Sequence, residues 1–264
     1  KTSTVYSDFF TVHTVAEDLW DGFGTKISPF LIKNAADLEA LREAVAECRS
    51  MKDSYFQMTG NITLPAGWEP IGTLTEEGEA NRVNQPNLLV YGGNGKYILP
   101  FSGIFDGGGN TLTIAEGGLP LFGYARDAAI KNLFIYGEQI DGCGLIENYE
   151  VDYGPSGIYQ YNNVPECVKI DHVTIKSGSK ILKSGFLGGY ASGANTVTIT
   201  NCTVQENVII GYDKTMRDIG SFAGDFNGVI ANSVSHAAVY GTSNVGGLVG
   251  GKGQSMGLCD FYNS

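Results

Sequence analysis

The chain has 264 residues, 42% of them hydrophobic, which is enough to bury a substantial core and excludes a disordered tail. Its 17 basic and 28 acidic residues give a formal net charge of −11. Because no cluster of Lys and Arg is present to attract a phosphate backbone, nucleic acid is not an expected partner. The 37 glycines, against 8 prolines, are typical of short strands joined by tight turns, so the sequence predicts a mainly β fold.

The chain is interpreted as an N-terminal segment followed by a single domain. Residues 1–19 have no assignable role, and residues 20–264 form the domain. The chain begins at Lys1 without a methionine or an apolar leader, so a mature or trimmed chain whose targeting segment has been removed is expected. It contains no run of about 18 apolar residues, so no membrane insertion is expected.

The first predicted element is a helix over residues 34–50. Asn34 can cap it, and Asp37 lies in the first turn, where the helix dipole favours an anion. The apolar residues at helical spacing are Leu38, Leu41, Val45 and Cys48. Because this apolar stripe has to be buried, we expect the helix to pack at the N-terminal end of the β-rich region and to cover it.

A short segment recurs within the region predicted to be β, residues 55–264. Its copies begin at Ile130, Ile170, Ile199 and, more loosely, Ile230. In the first three copies the apolar residues fall at i, i+3 and i+5, whereas a continuous strand would place them at i, i+2 and i+4. The slip occurs at a residue that we expect to adopt left-handed geometry and turn a corner. These stacked structural corners are Asn132, His172, Asn201 and Asn232.

A second recurring segment has the pattern small residue, apolar residue, any residue, glycine. Its copies are Leu121-Phe122-Gly123, Gly185-Phe186-Leu187-Gly188, Ser221-Phe222-Ala223-Gly224 and Gly247-Leu248-Val249-Gly250. Such repeats predict a solenoid whose coils bury their apolar faces only against their neighbours. The predicted fold is therefore a mainly β parallel β-helix with one N-terminal capping helix. Inserts at residues 74–100 and 147–166 interrupt it, and we expect binding specificity there.

Several short motifs follow the order seen in bacterial surface proteins that carry GLUG repeats. They are Trp20–Thr25, Pro29–Ile32, the helix start at Ala36–Leu38, Tyr55–Thr59, Trp68–Gly72 and Phe101–Gly107. The segment 247–250 is similar to the GLUG motif itself, and the resemblance covers residues 20–264. It implies a right-handed parallel β-helix on a secreted or cell-surface protein of the adhesin type, with no fixed catalytic set. Similar repeats accompany immunoglobulin-cleaving metallopeptidases, but this sequence lacks their H-E-x-x-H zinc motif.

Asp106 stands immediately before three consecutive glycines, residues 107–109. A phosphate-binding loop would be followed by a helix, whereas an alternating β segment follows here. We therefore assign Asp106 a structural role, in which it accepts hydrogen bonds from its own turn. A second glycine-rich segment, residues 92–97, lacks the aspartate of calcium-binding repeats and predicts a hairpin-like loop.

No metal or cofactor is expected from the sequence. His13, His172 and His236 lie on unrelated segments and do not have the spacing of metal ligands. The five cysteines show no C-x-x-C spacing and are odd in number. Buried free thiols are therefore predicted, and neither a zinc site nor a complete disulfide framework is indicated.

An enzyme acting on polysaccharides is the main alternative, because parallel β-helices also carry lyases and hydrolases that use clustered acidic and basic residues. The candidates are Asp225, the pair Asp213-Lys214 and the pair Arg217-Asp218. A pair of carboxylates among them could act as acid and base. The sequence lacks the paired signatures of pectate-lyase-like and polygalacturonase-like families, so solvated loop charges are the favoured interpretation.

Tyrosines concentrated in the second insert are the weak ligand-binding candidates. They are Tyr149, Tyr153, Tyr159 and Tyr161. A tyrosine ring can stack on a sugar while its hydroxyl forms hydrogen bonds, so carbohydrate or glycoprotein binding is one interpretation. A compact loop packed on itself is the other.

The sequence predicts a non-enzymatic secreted or cell-surface protein that binds glycans or glycoproteins, of host or microbial origin. The alternatives are a polysaccharide lyase or glycoside hydrolase and a passive surface stalk. The last repeat, which ends at Cys259–Ser264, has no polar capping element. We therefore expect further C-terminal sequence or another subunit to cover its open edge.

Overall fold

The structure is a computed structural model. It describes residues 19–47, 51–75, 89–91, 96–149, 168–188, 197–226, 228–252, 259–262 and 264. Within these residues the elements in chain order are β1 (Phe30–Ile32), α1 (Ala35–Ala46), β2 (Tyr55–Met58), β3 (Ile62–Leu64), β4 (Thr73–Thr75), β5 (Leu89–Tyr91), β6 (Lys96–Leu99), β7 (Ile104–Ile114), β8 (Phe122–Ala125), β9 (Ala129–Tyr136), β10 (Ile146–Tyr149), β11 (Lys169–Ile175), β12 (Lys180–Ile181), β13 (Val197–Thr200), β14 (Thr203–Val204), β15 (Ile209–Ile210), β16 (Arg217–Gly220), β17 (Ala223–Phe226), β18 (Gly228–Ala231), β19 (Val234–Ser235), β20 (Ala238–Val239), β21 (Ser243–Gly246), β22 (Val249–Lys252) and β23 (Cys259–Tyr262).

The helix α1 begins at the predicted cap. The Asn34 side chain accepts hydrogen bonds from the backbone nitrogens of Ala36 at 2.9 Å and Asp37 at 3.2 Å. In return, the Asp37 carboxylate accepts one from the backbone nitrogen of Asn34 at 3.2 Å. This reciprocal cap satisfies donors that the first helical turn would otherwise leave unpaired.

The helix ends earlier than the prediction of residues 34–50. Its last residue is Ala46, and its buried residues are Leu38, Leu41, Ala44 and Val45. Val45 is the last buried residue of the helix, so the packed stripe that stabilises the helix ends there. Cys48, which the prediction included in the stripe, lies outside the described residues.

The first strand precedes the helix, which corrects the prediction that strands begin at residue 55. β1 pairs in parallel with β2, with Phe30 opposite Phe56 and Ile32 opposite Met58. Parallel neighbours require a crossover connection, and α1 lies within that connection. The alternating burial of β1, with both Phe30 and Ile32 buried, explains why so short a segment forms a strand.

Among the described residues, 11 strands form one long sheet, in which every pair is parallel. Its main order is β1-β2-β7-β9-β11-β13-β18-β23, which is also the order in the chain. Ile130 lies opposite Ile170, Ile170 opposite Ile199 and Ile199 opposite Ile230. The repeated segments are therefore stacked in register, and a mainly β fold with parallel strands and one described helix is confirmed.

Each repeated segment bends at the residue where the apolar pattern slips. The φ angles are 52°, 52°, 54° and 50° for Asn132, His172, Asn201 and Asn232. On each strand, the residues that flank the left-handed residue pair with those that flank the left-handed residue of the neighbouring strand. The four left-handed positions are therefore stacked. The apolar positions around the first three are buried: Ile130, Leu133, Ile135, Ile170, Val173, Ile175, Ile199, Cys202 and Val204. We call this row of left-handed residues the corner ladder.

Smaller sheets complete the described fold. The pairs β8–β10, β16–β21 and β17–β22 and the group β12–β15–β20 are parallel. The group β4–β6–β5 is antiparallel and lies within the predicted insert 74–100, apart from its first residue. Tyr91 lies opposite Lys96 in its β5–β6 pair, which is the geometry of a hairpin, although residues 92–95 lie outside the described residues.

Close approach of neighbouring backbones explains one glycine of the second recurring segment, Gly185, but not another, Gly247. A Cβ atom on Gly185 would lie 1.8 Å from the carbonyl oxygen of Ser221 and 2.8 Å from its carbonyl carbon. Gly247 occupies the same position in the last copy, and a Cβ atom there would meet no atom within 4 Å.

Alanine at these two glycines is expected to have different effects. Gly185→Ala should lower the free energy of unfolding by about 1–3 kcal/mol, because the backbone of Ser221 has to move. Gly247→Ala should change it by less than about 0.5 kcal/mol, as at an open surface position. Urea denaturation of both variants checks this, and equal losses would contradict the stacking of these segments.

Candidate functional site

A cleft lies between the helix α1 and the small sheet that contains β8 and β10. Its volume is about 440 Å³. The side chains that give it chemical character are Arg42, Glu69, Leu119, Pro120, Tyr124 and Glu147. We call it the helix cleft. Its volume lies within the range of small-molecule binding sites.

The helix supplies the positive charge of the cleft. The buried stripe of α1 faces the core, which leaves Arg42 at the cleft with 28% of its side chain exposed. Its guanidinium lies 3.2 Å from the Glu69 carboxylate and 3.9 Å from that of Glu43. Two carboxylates therefore hold the guanidinium in place, and both remain largely exposed to solvent.

The floor of the cleft is formed by closely spaced backbone. A Cβ atom on Gly123 would lie 2.3 Å from the carbonyl oxygen of Gly72, so the two segments could not approach as they do with larger residues. The Trp68 indole donates a hydrogen bond to the carbonyl oxygen of Pro120 at 3.2 Å, which fixes the proline ring at the cleft. The floor is thus set by buried contacts of the core.

Glu147 lies on the opposite side of the cleft, on β10. One carboxylate oxygen accepts a hydrogen bond from the backbone nitrogen of Cys143 at 3.0 Å, and the other forms an ion pair with Lys183. Burial alone would lower the pKa of Lys183, but the contact with Glu147 outweighs it and the pKa is raised. The ammonium is therefore charged and paired under ordinary conditions.

Cys143 and Cys202 are buried free thiols. Burial raises the pKa of Cys143 well above its usual value, and the nearby Glu147 charge adds to this. Burial likewise raises the pKa of Cys202 to about 12. Both thiols are therefore protonated near neutral pH and are poor nucleophiles.

The predicted tyrosine cluster falls mostly on undescribed residues. Tyr149 is the last residue of β10, and its backbone pairs with Ala125 of β8. Its side chain, together with Tyr153, Tyr159 and Tyr161, lies outside the described residues. The start of the predicted insert at residue 147 is corrected, because residues 147–149 belong to a parallel strand. Residues 147–149 form a strand because they pair with β8, which is distant in sequence.

Asp106 occupies the turn in β7. Its carboxylate accepts hydrogen bonds from the backbone nitrogen of Gly108 at 2.9 Å and from the Asn132 side chain at 3.0 Å. The Lys131 ammonium lies 3.2 Å away. Burial alone would raise the pKa of Asp106, but these contacts outweigh it and the pKa is lowered. The carboxylate thus links its own turn to the corner ladder.

Asp171 performs the same linking role two strands further along the long sheet. It accepts hydrogen bonds from the Thr200 hydroxyl at 2.7 Å and the Asn201 side chain at 2.8 Å, and the Nδ1 atom of His172 lies 2.8 Å away. Burial alone would raise the pKa of Asp171, but these partners outweigh it and the pKa is lowered. Asn232 continues the ladder with its φ of 50°. The spacing of the repeats in the sequence did not predict that Asp106 and Asp171 form hydrogen bonds with the corner ladder.

Acid is expected to weaken the corner ladder. Since the folded-state pKa of Asp171 lies below its unfolded value of about 3.9, the ionised carboxylate contributes stability that is present above that pH. This stability is lost as the pH falls through the lowered folded-state pKa. Urea midpoints measured between neutral pH and pH 3 should therefore fall less in Asp171→Asn than in the parent chain. An equal fall of the urea midpoint in the two proteins would contradict a contribution of the Asp171 carboxylate to stability.

Two of the acidic residues considered for catalysis have hydrogen-bond partners within the protein. Asp213 accepts hydrogen bonds from the backbone nitrogen and the hydroxyl of Thr215, at 2.9 and 2.5 Å. Asp218 is left-handed, with φ 52°, and accepts a hydrogen bond from the Asn244 side chain at 2.5 Å. The side chain of Asp225 lies outside the described residues. Asp218 and Asn244, which is left-handed with φ 51°, form a second stacked pair that the sequence analysis missed.

The described residues contain neither a helix suited to crossing a membrane nor a cluster of metal-ligating side chains. None of their helices has the length and apolar character needed to cross a membrane. Nor do they contain a group of three or more His, Cys, Asp or Glu side chains arranged to hold a metal ion.

Comparison with known proteins gives similarity in sequence to halomucin and similarity in fold to a solved structure. No protein-family model matches the chain. Halomucin of Haloquadratum walsbyi is 24% identical over 248 residues, which are 90% of this chain but 2% of halomucin. The crystal structure of a Bacteroides ovatus protein, named provisionally as an immunoglobulin A1 protease, has a TM-score of 0.55 at 17% identity. The match covers 92% of this chain and 67% of that chain, and it shows similarity of fold alone.

Proposed function

We propose that this chain is a non-enzymatic binding module of a secreted or cell-surface protein, with glycans or glycoproteins as its ligands. The similarity to halomucin supports this location. The negative net charge also disfavours nucleic acid as a partner. The resemblance to bacterial GLUG-repeat adhesins is part of the same proposal.

The proposed architecture is a right-handed parallel β-helix. The stacking of strands in chain order supports it, because each repeat places its strands beside those of the repeats before and after. Three rows of parallel pairs or bridges recur along the chain, through Ile130 and Ile170, through Ile140 and Ile181, and through Leu187 and Ala223. In this architecture they are successive faces of each coil.

The helix cleft is the observation that carries the proposed binding function. It combines the apolar side chains of Leu119 and Pro120 with charged side chains, as small-ligand sites do. The floor depends on Gly72 and Gly123 and on the hydrogen bond from Trp68, so its shape exists before any ligand arrives. A preformed cleft binds without a large ordering cost.

The last repeat has an open edge in the described part of the chain. β19, β20, β21 and β22 each pair with one neighbouring strand there. Its exposed apolar residues are Val234, Tyr240 and Val245. We propose that further sequence or another subunit covers these residues, because exposed strand edges and apolar patches favour association.

A glycan array, followed by calorimetry with the glycans that bind, tests the function. Saturable binding without turnover of acidic polysaccharides is the expected result. Release of reducing ends or unsaturated products, lost in Asp218→Asn or Asp225→Asn, would replace the proposal with a lyase or hydrolase. Neither binding nor turnover would favour a passive stalk.

A further inference from the structure

We infer that the helix cleft binds an uncharged saccharide, in preference to an acidic sugar or an extended peptide. This inference rests on the proposed glycan-binding function and adds the site and the chemical class of the ligand. Three properties of the cleft carry it: its charged groups are paired, its lining combines apolar and polar groups, and both edges of β8 are already paired.

The charged groups of the cleft are already compensated. Among the described residues that line the cleft, Arg42 is the one cationic side chain, and two carboxylates lie within 4 Å of its guanidinium. Glu147 is paired with Lys183. A sugar carboxylate or sulfate would therefore find no uncompensated cation, and the net charge of −11 would repel it.

The same groups suit sugar hydroxyls. The carboxylates of Glu69 and Glu147 can accept hydrogen bonds from hydroxyl groups, and Arg42 can donate. Leu119 is 38% exposed and, with Pro120, provides an apolar surface between these polar groups. A hexopyranose has the matching character, since its ring carries an apolar C–H face and a rim of hydroxyls. The cleft can thus bind both sides of such a ring.

An extended peptide lacks its usual means of binding at this position. Peptides commonly add a strand to a free sheet edge. Here β8 pairs with β10 on one side, and on the other Phe122 bridges to Ile71. The backbone oxygen of Tyr124 also accepts a hydrogen bond from Phe101 at 2.9 Å. Both edges of β8 are therefore already paired. A peptide could not add a strand there and would have to be bound through side chains of the cleft.

The test uses matched glycans and matched variants. Neutral oligosaccharides on the array, such as N-acetyllactosamine, are compared with their sialylated forms, and dissociation constants are measured by calorimetry. The variant Leu119→Trp fills the cleft, and Leu19→Trp is its control, because Leu19 is 41% exposed and does not line the cleft. Thermal melting of both variants verifies that they fold.

The expected result is binding of a neutral glycan that weakens by at least about tenfold on sialylation and in Leu119→Trp, equivalent to about 1.4 kcal/mol. The control should bind within about twofold of the parent, a difference of about 0.4 kcal/mol. Equal or tighter binding of the sialylated form, or full binding by folded Leu119→Trp, would overturn the inference while leaving glycan binding intact. Binding of no glycan by the parent, or binding of peptides alone, would overturn both the inference and the proposed function.

Discussion

Replacing Phe222 with alanine is expected to lower the free energy of unfolding by about 3–5 kcal/mol, the usual loss for a buried phenylalanine. Phe222 is fully buried, and its ring centroid lies 5.2 Å from that of Phe186 on the preceding repeat. The variant loses apolar burial and leaves a cavity between two stacked segments, neither of which can collapse without moving its paired backbone. Urea denaturation monitored by circular dichroism measures the change.

Phe134→Ala is the matched control for this experiment. Phe134 lies on β9 of the long sheet but is 38% exposed, so its truncation should cost less than about 1 kcal/mol. A similar loss in both variants would mean that Phe222 is not packed between repeats. The pair therefore tests which face of each repeat forms the core.

Valine at Asn201 is expected to lower the free energy of unfolding by about 1.5–3.5 kcal/mol. The φ of 54° imposes a strain of about 1–2 kcal/mol on a residue that cannot adopt this geometry easily. Loss of the hydrogen bond to Asp171 at 2.8 Å adds about 0.5–1.5 kcal/mol. The same denaturation assay measures the sum.

Two further variants separate the strain from the hydrogen bond. Asn201→Gly keeps the left-handed backbone and removes only the side chain, so it should lose less stability than the valine variant. Thr200→Val should cost about 1 kcal/mol, because the Thr200 hydroxyl donates to Asp171 and is not simply facing solvent. An Asn201→Gly variant as unstable as Asn201→Val would contradict the role of backbone strain.

The features that the sequence predicted well are those with local causes. The slip in apolar spacing at Asn132 and Asn201 predicts the left-handed bends because a side chain has to change face when the backbone turns. Asn34 and Asp37 predict the helix start because a reciprocal cap involves residues three apart. Short-range geometry of this kind can be inferred from one sequence.

Features that depend on contacts distant in sequence could not be predicted in this way. The strand β1 forms because Phe30 and Ile32 find partners beyond the helix. The helix cleft brings Arg42 beside Glu69 and across from Glu147, and no spacing rule relates these three residues. The pairing of Asp218 with Asn244 could have been predicted from the sequence, since the two residues occupy equivalent positions of successive repeats.

The agreement between strand order and chain order has a mechanical consequence. Hydrogen bonds of the long sheet join each strand to the strands before and after it, so a force applied to the two ends of the stack would load these bonds one strand at a time. Pulled in this way, the chain should yield gradually from its ends in small extensions, without a single abrupt rupture. A module of this design would lengthen under tension while its central repeats stay folded.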